Sequence, residues 1–503
     1  MKCIITIELG TNAVRIFAFD LSGNVIGNMK GYYPTFHSQP DYSEQDPEQI
    51  FITMLYVLKN LLNEKIHPKK YKVASICFSS SMHSMLAVDK NGIPLCNAFT
   101  WADNRAKNEA KELKASAFAS TMYNSTGTPP HPMSPLLKIA WMRKNDKQNF
   151  KKTGKFLSIK SYVIYQLTGE YLIDFSMACA TGMLNIHKVA WESQALSYAG
   201  IKEDQLPQLV PVFASRGKLK KAYQNSLGLN DSTKILVGSS DGCMATLGAG
   251  IWKSDKATIT IEDSSAVRVV GNKMLHDEKM RMFNYLITED CFVTGGPSNS
   301  GSGTFEWFTK QFGDFTSAYD VESCMNNLLQ EATKVKTGSE GLLFLPYLLG
   351  ERAPIWNPDA RGMYFGINIK HERQHFIRAT IEGILYEIYS IGKMLNEHRN
   401  ISSLSVNGSF ATIPFCAQLI SDMFNKQVNV TSNANSVSIG AFLLAATEMG
   451  IFKSLDEAAS QIEIGQSYSP TENHHKTYMK YFEIFESLSY KLGDEFEKIA
   501  ALQ

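Results

Sequence analysis

Along residues 3–33 the apolar positions fall into three short runs separated by polar turns. "CIITIEL" leads to Gly10-Thr11-Asn12, "AVRIFAFD" leads to Ser22-Gly23-Asn24, and "VIGNMKGYY" follows. That pattern predicts a three-stranded meander. The period then changes. Ile50, Met54, Val57, Leu58, Leu61 and Leu62 recur at helical spacing behind the start signal "DPEQ", predicting an amphipathic helix over 47–64. "KVASICF" reads as a buried strand, "ADNRAKNEAKELKAS" as a polar solvent-facing helix, and "SPLLKIAWMRKN" and "IKSYVIYQLTG" as amphipathic helices. "TKILVGSSDG" is an apolar strand ending in a polar turn, and the small-residue helix "CMATLGAG" follows it.

Beyond residue 250 the grammar restarts. "ATITI", "SAVRVVG", "MFNYLI" and "CFVTGG" predict strands, and "SGTFEWFTKQF", "ERQHFIRATIEGILYEIYSIGKMLNE" and "PFCAQLISDMFN" predict helices. A charged amphipathic helix from residue 470 carries no recognisable chemistry. The phrase "ITIELGTNAVRI" (5–16) returns, shortened, as "ITIEDSSAVRV" (259–269). Two halves that open alike and then alternate strands with helices point to a duplicated α/β domain, with a division at 1–247 and 248–503. Phrases this short and strand-friendly also recur by chance, so the repeat alone leaves both explanations open. No low-complexity linker separates the halves, which predicts a compact junction and a cleft rather than a tether.

Composition agrees with this picture. A chain of 503 residues exceeds the roughly 250–300 at which one hydrophobic core stops growing. Its 50 Lys+Arg against 49 Asp+Glu give no electrostatic footprint for nucleic acid or an acidic membrane. The partner expected is a small molecule, or a second copy of the chain in a homodimer. No apolar run approaches the ~18 residues of a membrane span, and "CIITI" before Glu8 is too short for a signal-peptide core. The eight cysteines stand singly, without a C-x-x-C pair. They read as buried thiols of a reducing compartment, hence a cytoplasmic protein.

Two places carry candidate chemistry. In the first turn, Gly10 permits close approach of a phosphate, Thr11 and Asn12 add donors, and Arg15 can pair with anionic oxygen. Glu8 would face a magnesium ion through waters. An ordinary hairpin turn with a solvated glutamate has the same spelling. In "GSSDG" (238–242), Asp241 follows an apolar strand and opens a helix, where a carboxylate can take a proton from a substrate hydroxyl. An N-cap is the structural alternative.

In these residues and the motifs around them, the chain resembles the FGGY carbohydrate kinases. "MSPLLKIAWMRKN" (133–145), with Lys138 and Trp141 in place, fits that family's first signature, and "GMYFGINIKHERQHFIRATIE" (362–382) fits the second. "SMHS" (81–84), "WADNR" (101–105), "SDG" (240–242), "GGP" (295–297) and "GERAP" (350–354) stand around them in order. "SSSMHSM", "TWADNR", "GTPPHPMSPL", "CATGMLN" and "GERAPIWNPD" echo the gluconate kinase branch. The resemblance implies two RNase H-like domains of the actin and hexokinase type, closing on sugar and MgATP. It implies Asp241 as general base, with Asp241 and Glu8 toward the metal. Ser81, Met82, His83, Trp101 and Met133 would line the sugar pocket. Arg105, His131 and Lys160 are the basic candidates for a sugar-acid carboxylate; Arg105 could equally be a structural ion-pair partner. Gly10, Thr11, Asn12, Arg15, Ser264, Gly301, Gly408, Ser409 and Phe410 would meet the nucleotide. Gluconate is the expected acceptor, with xylulose or a related pentulose as the alternative.

The chain departs from the family on the nucleotide side. Glu262-Asp263-Ser264-Ser265 stands where members usually carry Gly-Thr-Ser-Gly, and Glu8 replaces the usual Asp. Ser409 replaces a glycine in Asn407-Gly408-Ser409-Phe410-Ala411, and Ser302 replaces another. Two carboxylates beside a phosphate repel it. The departures therefore predict either a kinase with a modified phosphate grip or a sugar-acid-binding protein that has lost phosphoryl transfer.

Overall fold

The computed structural model describes residues 1–215, 218–313, 321–431 and 435–503. They form two compact units, neither of which is one stretch of chain. The first comprises Met1–Lys253, Gly271–Val293 and Asn435–Ile462; the second comprises Ser254–Val270, Thr294–Ala434 and Glu463–Gln503.

The first unit is built on strands β1 (Lys2–Leu9), β2 (Ala13–Asp20), β3 (Val25–Tyr32), β4 (Lys72–Ser80) and β5 (Lys234–Ser240), in the order β5-β4-β1-β2-β3. The expected meander is β1-β2-β3, antiparallel throughout. Buried residues interleave with half-exposed ones in β2, and half-exposed with exposed ones in the outer strand β3, which reflects one covered and one wetter face. β4 and β5 join it in parallel; both are buried along almost their whole length, as parallel strands with both faces covered must be.

Helix α1 (Pro47–Leu61) starts where Asp46 accepts from the amides of Glu48 and Gln49 and Pro47 takes the first position. Its apolar stripe enters the core of this sheet beside Ile5, Ile7, Val14 and Ile16. Helices α2 (Pro135–Asn145) and α3 (Ile159–Thr168) follow, and α4 (Asp241–Gly248) leaves the end of β5. The small residues of α4 admit α8 (Ser436–Glu448): a Cβ added at Gly440 would lie 2.0 Å from the Met244 carbonyl oxygen. That close approach explains why a late segment of sequence packs with the first unit.

In the second unit, β6 (Ala257–Ile261), β7 (Ser265–Gly271), β9 (Cys291–Ser298), β10 (Ser403–Asn407), β11 (Gln427–Thr431) and β12 (Ile464–Tyr468) run in the order β9-β7-β6-β10-β11-β12. Strand β8 (Phe283–Thr288) belongs to the first unit. Helices α5 (Ser302–Phe312), α6 (Arg373–His398), α7 (Pro414–Phe424) and α9 (Glu472–Lys491) complete the frame used below. The C-terminal helix that carried no chemistry has a structural role. Tyr478, Phe482 and Phe485 of α9 are buried, and the Tyr478 hydroxyl accepts from Arg378 Nη2 at 2.8 Å and donates to Glu382 at 3.0 Å. No helix among the described residues is long and apolar enough to cross a membrane.

Candidate active site

The carboxyl ends of three parallel strands coincide in the first unit: Leu9 of β1 and Ser240 of β5 both pair with Ser80 of β4. In α/β sheets that edge is where ligands bind. The residues that leave it are Gly10-Thr11-Asn12, Ser81-Met82-His83 and Asp241. With neighbouring strands ~4.8 Å apart, the β1 and β5 backbones stand roughly 10 Å from each other.

Asp241 is the first residue of α4 and is half-buried. Ser240 caps the helix, its hydroxyl accepting from the Cys243 amide at 3.4 Å, so the capping role falls to the serine. Asp241 Oδ1 accepts from the Gly242 amide at 2.6 Å. A buried network lies behind it. The Ser240 amide donates to Ser176 Oγ (2.9 Å), Ser176 Oγ donates to Asp174 (2.6 Å), and Asp174 meets Lys160 Nζ at 2.6 Å. Lys160 also donates to the Ser239 carbonyl at 3.0 Å. Fully buried and ion-paired, Lys160 therefore braces the end of β5 instead of offering its charge to a ligand.

Arg105 is committed in the same way. Its guanidinium meets Asp103 at 2.8 Å and Glu44 at 2.5 Å, and lies over the rings of Tyr42 and Phe99 at 3.7 and 3.6 Å. Of its two sequence-level readings, the structural ion pair is the one the geometry fits. Lys138, on α2, is fully buried, donates to the carbonyls of His83 (2.9 Å) and Thr100 (2.5 Å), and burial pulls its ammonium down to about 7.

The first turn is braced from several sides. Tyr33 donates to the Gly10 carbonyl at 2.5 Å, Gln45 donates to the Thr11 carbonyl, and Trp101 Nε1 donates to Thr11 Oγ1 at 2.9 Å. Glu8 is buried and pairs with the half-exposed Arg15 at 2.9 Å, while Asn12 is exposed. On the sugar side, Ser81 and Met82 are half-buried and His131 and Met133 are buried, the Met133 amide donating to His131 Nδ1 at 3.3 Å. His83 is buried with a left-handed φ of 63°. Its Nδ1 donates to the Ala180 carbonyl at 2.8 Å, which leaves Nε2, 3.2 Å from the Tyr285 hydroxyl, as the acceptor in the neutral ring. Its ring sits 5.1 Å from that of Phe283. Tyr285 and Phe283 come from β8 and were invisible as site residues in sequence, where "MFNYLI" reads only as a strand.

In the second unit three loops converge on the start of α5. The carbonyls of Glu262, Asp263 and Gly301 accept from the amides of Ser302 (2.7 Å), Gly303 (3.3 Å) and Thr304 (3.1 Å). Main-chain carbonyls thus already occupy donors that a helix N-terminus otherwise offers to an anion. The Glu262 and Asp263 side chains are exposed, Ser264 is half-buried, and Glu262 Oε2 lies 3.3 Å from the hydroxyl of the exposed Ser409. Gly408 has φ 93°, and a Cβ there would lie 2.2 Å from the Ile261 carbonyl oxygen, so only glycine fits. Phe410 is 1% exposed and packs its ring on Phe305 at 5.6 Å. It supports the loop from below rather than presenting a face to a base.

Residues 3–248 match the N-terminal domain of the FGGY family of carbohydrate kinases, and residues 257–449 match its C-terminal domain. The chain belongs to that family. This FGGY kinase is 35% identical to a gluconokinase of Bacillus subtilis, over 99% of this chain and 97% of the relative. Its fold is similar to that of a gluconate kinase from Lactobacillus acidophilus (TM-score 0.92, 30% identity, 99% of each chain). It is equally similar to a ligand-bound xylulose kinase from the same organism (TM-score 0.93, 30% identity, 99% of this chain and 100% of the other). The FGGY kinase is thus a phosphotransferase that uses ATP and a carbohydrate acceptor, on the expected two-domain fold. Among the described residues no group of three or more His, Cys, Asp or Glu side chains could hold a metal ion. The two carboxylates at this strand edge are Glu8, paired with Arg15, and Asp241; a magnesium ion held there would take most of its ligands from phosphate and water, as that ion usually does.

Proposed function

We propose that this FGGY kinase transfers the γ-phosphoryl group of ATP to the terminal hydroxyl of D-gluconate. Asp241 accepts the hydroxyl proton as the new O–P bond forms, the bond to the β-phosphate oxygen breaks, and ADP leaves. The observation that carries the base assignment is that Ser240 caps α4, so the half-buried Asp241 carboxylate is relieved of that duty at the ligand-binding edge of the sheet. The Lys160–Asp174–Ser176 network fixes the backbone from which it projects, and positioning is most of what a phosphoryl-transfer site contributes. Glu8, held by Arg15, and Asp241 would be the protein contacts of a magnesium ion, which when bound would supply neutralisation of the phosphate charge. Thr11, Asn12 and Arg15 are assigned to phosphate oxygens, Ser264 and Gly301 to the phosphate side of the second unit, and Gly408 and Ser409 to the adenosine.

Gluconate as acceptor is supported by the full-length likeness to a gluconokinase. With Arg105 and Lys160 committed to buried carboxylates, His131 is the remaining basic candidate for the sugar-acid carboxylate. The likeness to a xylulose kinase structure supports a pentulose as the second reading. The test is a coupled ADP-release assay over sugar acids, pentuloses and glycerol. Gluconate should give the highest kcat/KM; a preference for xylulose would overturn the acceptor, and ADP release without any sugar would make the protein an ATPase.

A further inference from the structure

Lys138 is the fully buried cation of the first signature; the proposed chemistry leaves it unused, and its setting is unusual. The side chain is fully buried, which is costly for an ammonium unless its donors are satisfied. Nζ meets no carboxylate within ion-pair distance among the described residues. It donates instead to two main-chain carbonyls, those of His83 at 2.9 Å and Thr100 at 2.5 Å. His83 heads one segment of the sugar edge, and Thr100 immediately precedes Trp101, whose indole reaches Thr11 in the first turn. Three chain segments that are far apart in sequence are therefore tied through one nitrogen and one indole. His83 also holds a φ of 63°, a region that a non-glycine residue keeps only when its surroundings impose it. The bond from Lys138 to the carbonyl of that same residue, with the bond from its ring to Ala180, supplies the imposition.

We infer that Lys138 is a positioning residue for the sugar acceptor: it clamps the His83 and Trp101 segments so that both side chains are presented in one fixed geometry. The inference rests on the proposal that this edge binds the sugar. Burial favours the neutral amine and the nearby Asp103 favours the ammonium, while Arg105 opposes it; either form keeps the two N–H donors the clamp requires.

The test is steady-state kinetics of Lys138→Met, which keeps length and removes the donors, using whichever sugar the wild-type protein prefers in the acceptor panel. A failure of the gluconate reading then shows in the wild type alone and leaves this test intact. Lys138→Met should raise the sugar KM roughly 10- to 100-fold and the KM for ATP clearly less, since Tyr33 and Gln45 still brace the first turn that Trp101 reaches. Lys138→Gln, which can reach one carbonyl, should fall between. In the double variant with His83→Ala the two effects on sugar KM should be clearly less than multiplicative, since one acts through the other. A sugar KM unchanged while kcat drops, equal losses for sugar and ATP, or loss of folding in both Lys138 variants would overturn the inference and leave Lys138 as a core strut.

Discussion

The two β-turn-β phrases share the letters "ITIE" and "AVR", yet they do different work. In the first hairpin four residues separate Glu8 from Ala13, and the register sets Glu8 opposite Arg15. The carboxylate is buried there and ion-paired at 2.9 Å. The second hairpin has one residue fewer. Ile261 pairs with Ser265 and Arg268 faces Thr258, so Glu262 falls in the turn with its side chain exposed, and the buried Arg268 Nη1 has no hydrogen-bond partner among the described residues. A change of one residue in loop length shifts which side chains oppose each other. In consequence the first turn presents hydroxyl, amide and a paired guanidinium. The second presents two carboxylates, and its carbonyls occupy the start of α5. In the proposed reading the sugar and base residues stand on the strand edge of the first unit, while Glu262, Asp263, Ser302 and Ser409 lie in the second.

That contrast can be broken from the intact side first. Asp241→Asn keeps the shape of the side chain and removes the proton acceptor. Turnover should fall by about 10²–10⁴ while sugar binding, read by calorimetry, stays near the wild-type value. Near-normal turnover would return Asp241 to a purely structural role.

The altered side is sharpened by Glu262→Gly combined with Asp263→Thr. The main-chain bonds to Ser302 and Gly303 survive this change, so the variant isolates the two carboxylates. Removing two exposed like charges from a phosphate should lower the KM for ATP roughly two- to tenfold, leave the sugar KM unchanged, and matter less as free Mg²⁺ rises. Lost activity in the double variant would mean that the acids hold metal or phosphate themselves, and the hairpin would be an adapted site rather than a weakened one.

Much of this was legible in the sequence, for physical reasons that can be named. The meander follows from period-two runs broken by Gly10-Thr11-Asn12 and Ser22-Gly23-Asn24, and α1 follows from Asp46 and Pro47 ahead of an apolar stripe. The place of Asp241, though not its role, was legible, because an apolar strand that ends in a polar turn before a helix sets that residue at the junction. The ion-pair reading of Arg105 was open in sequence, with Asp103 two residues away, but its second partner Glu44 was not visible. The commitment of Lys160 was not legible, because Asp174 is a partner set by tertiary packing and not by local spacing. Phe410 looked like a loop residue because nothing in its own neighbourhood signals Phe305 beneath it. The contribution of β8 to the surroundings of His83 was hidden for a similar reason, since Tyr285 comes to the first unit from the second half of the sequence.

On the proposed function the sugar edge is intact and the nucleotide grip, though altered, still functions. Calorimetric titration of MgATP into the wild-type protein, with and without saturating gluconate, tests it most directly. Heat from gluconate alone is expected, with measurable binding of MgATP in both conditions, tighter in the double variant Glu262→Gly with Asp263→Thr. Gluconate heat with no nucleotide heat in either condition would contradict it, and the protein would be a sugar-acid binder on a kinase fold.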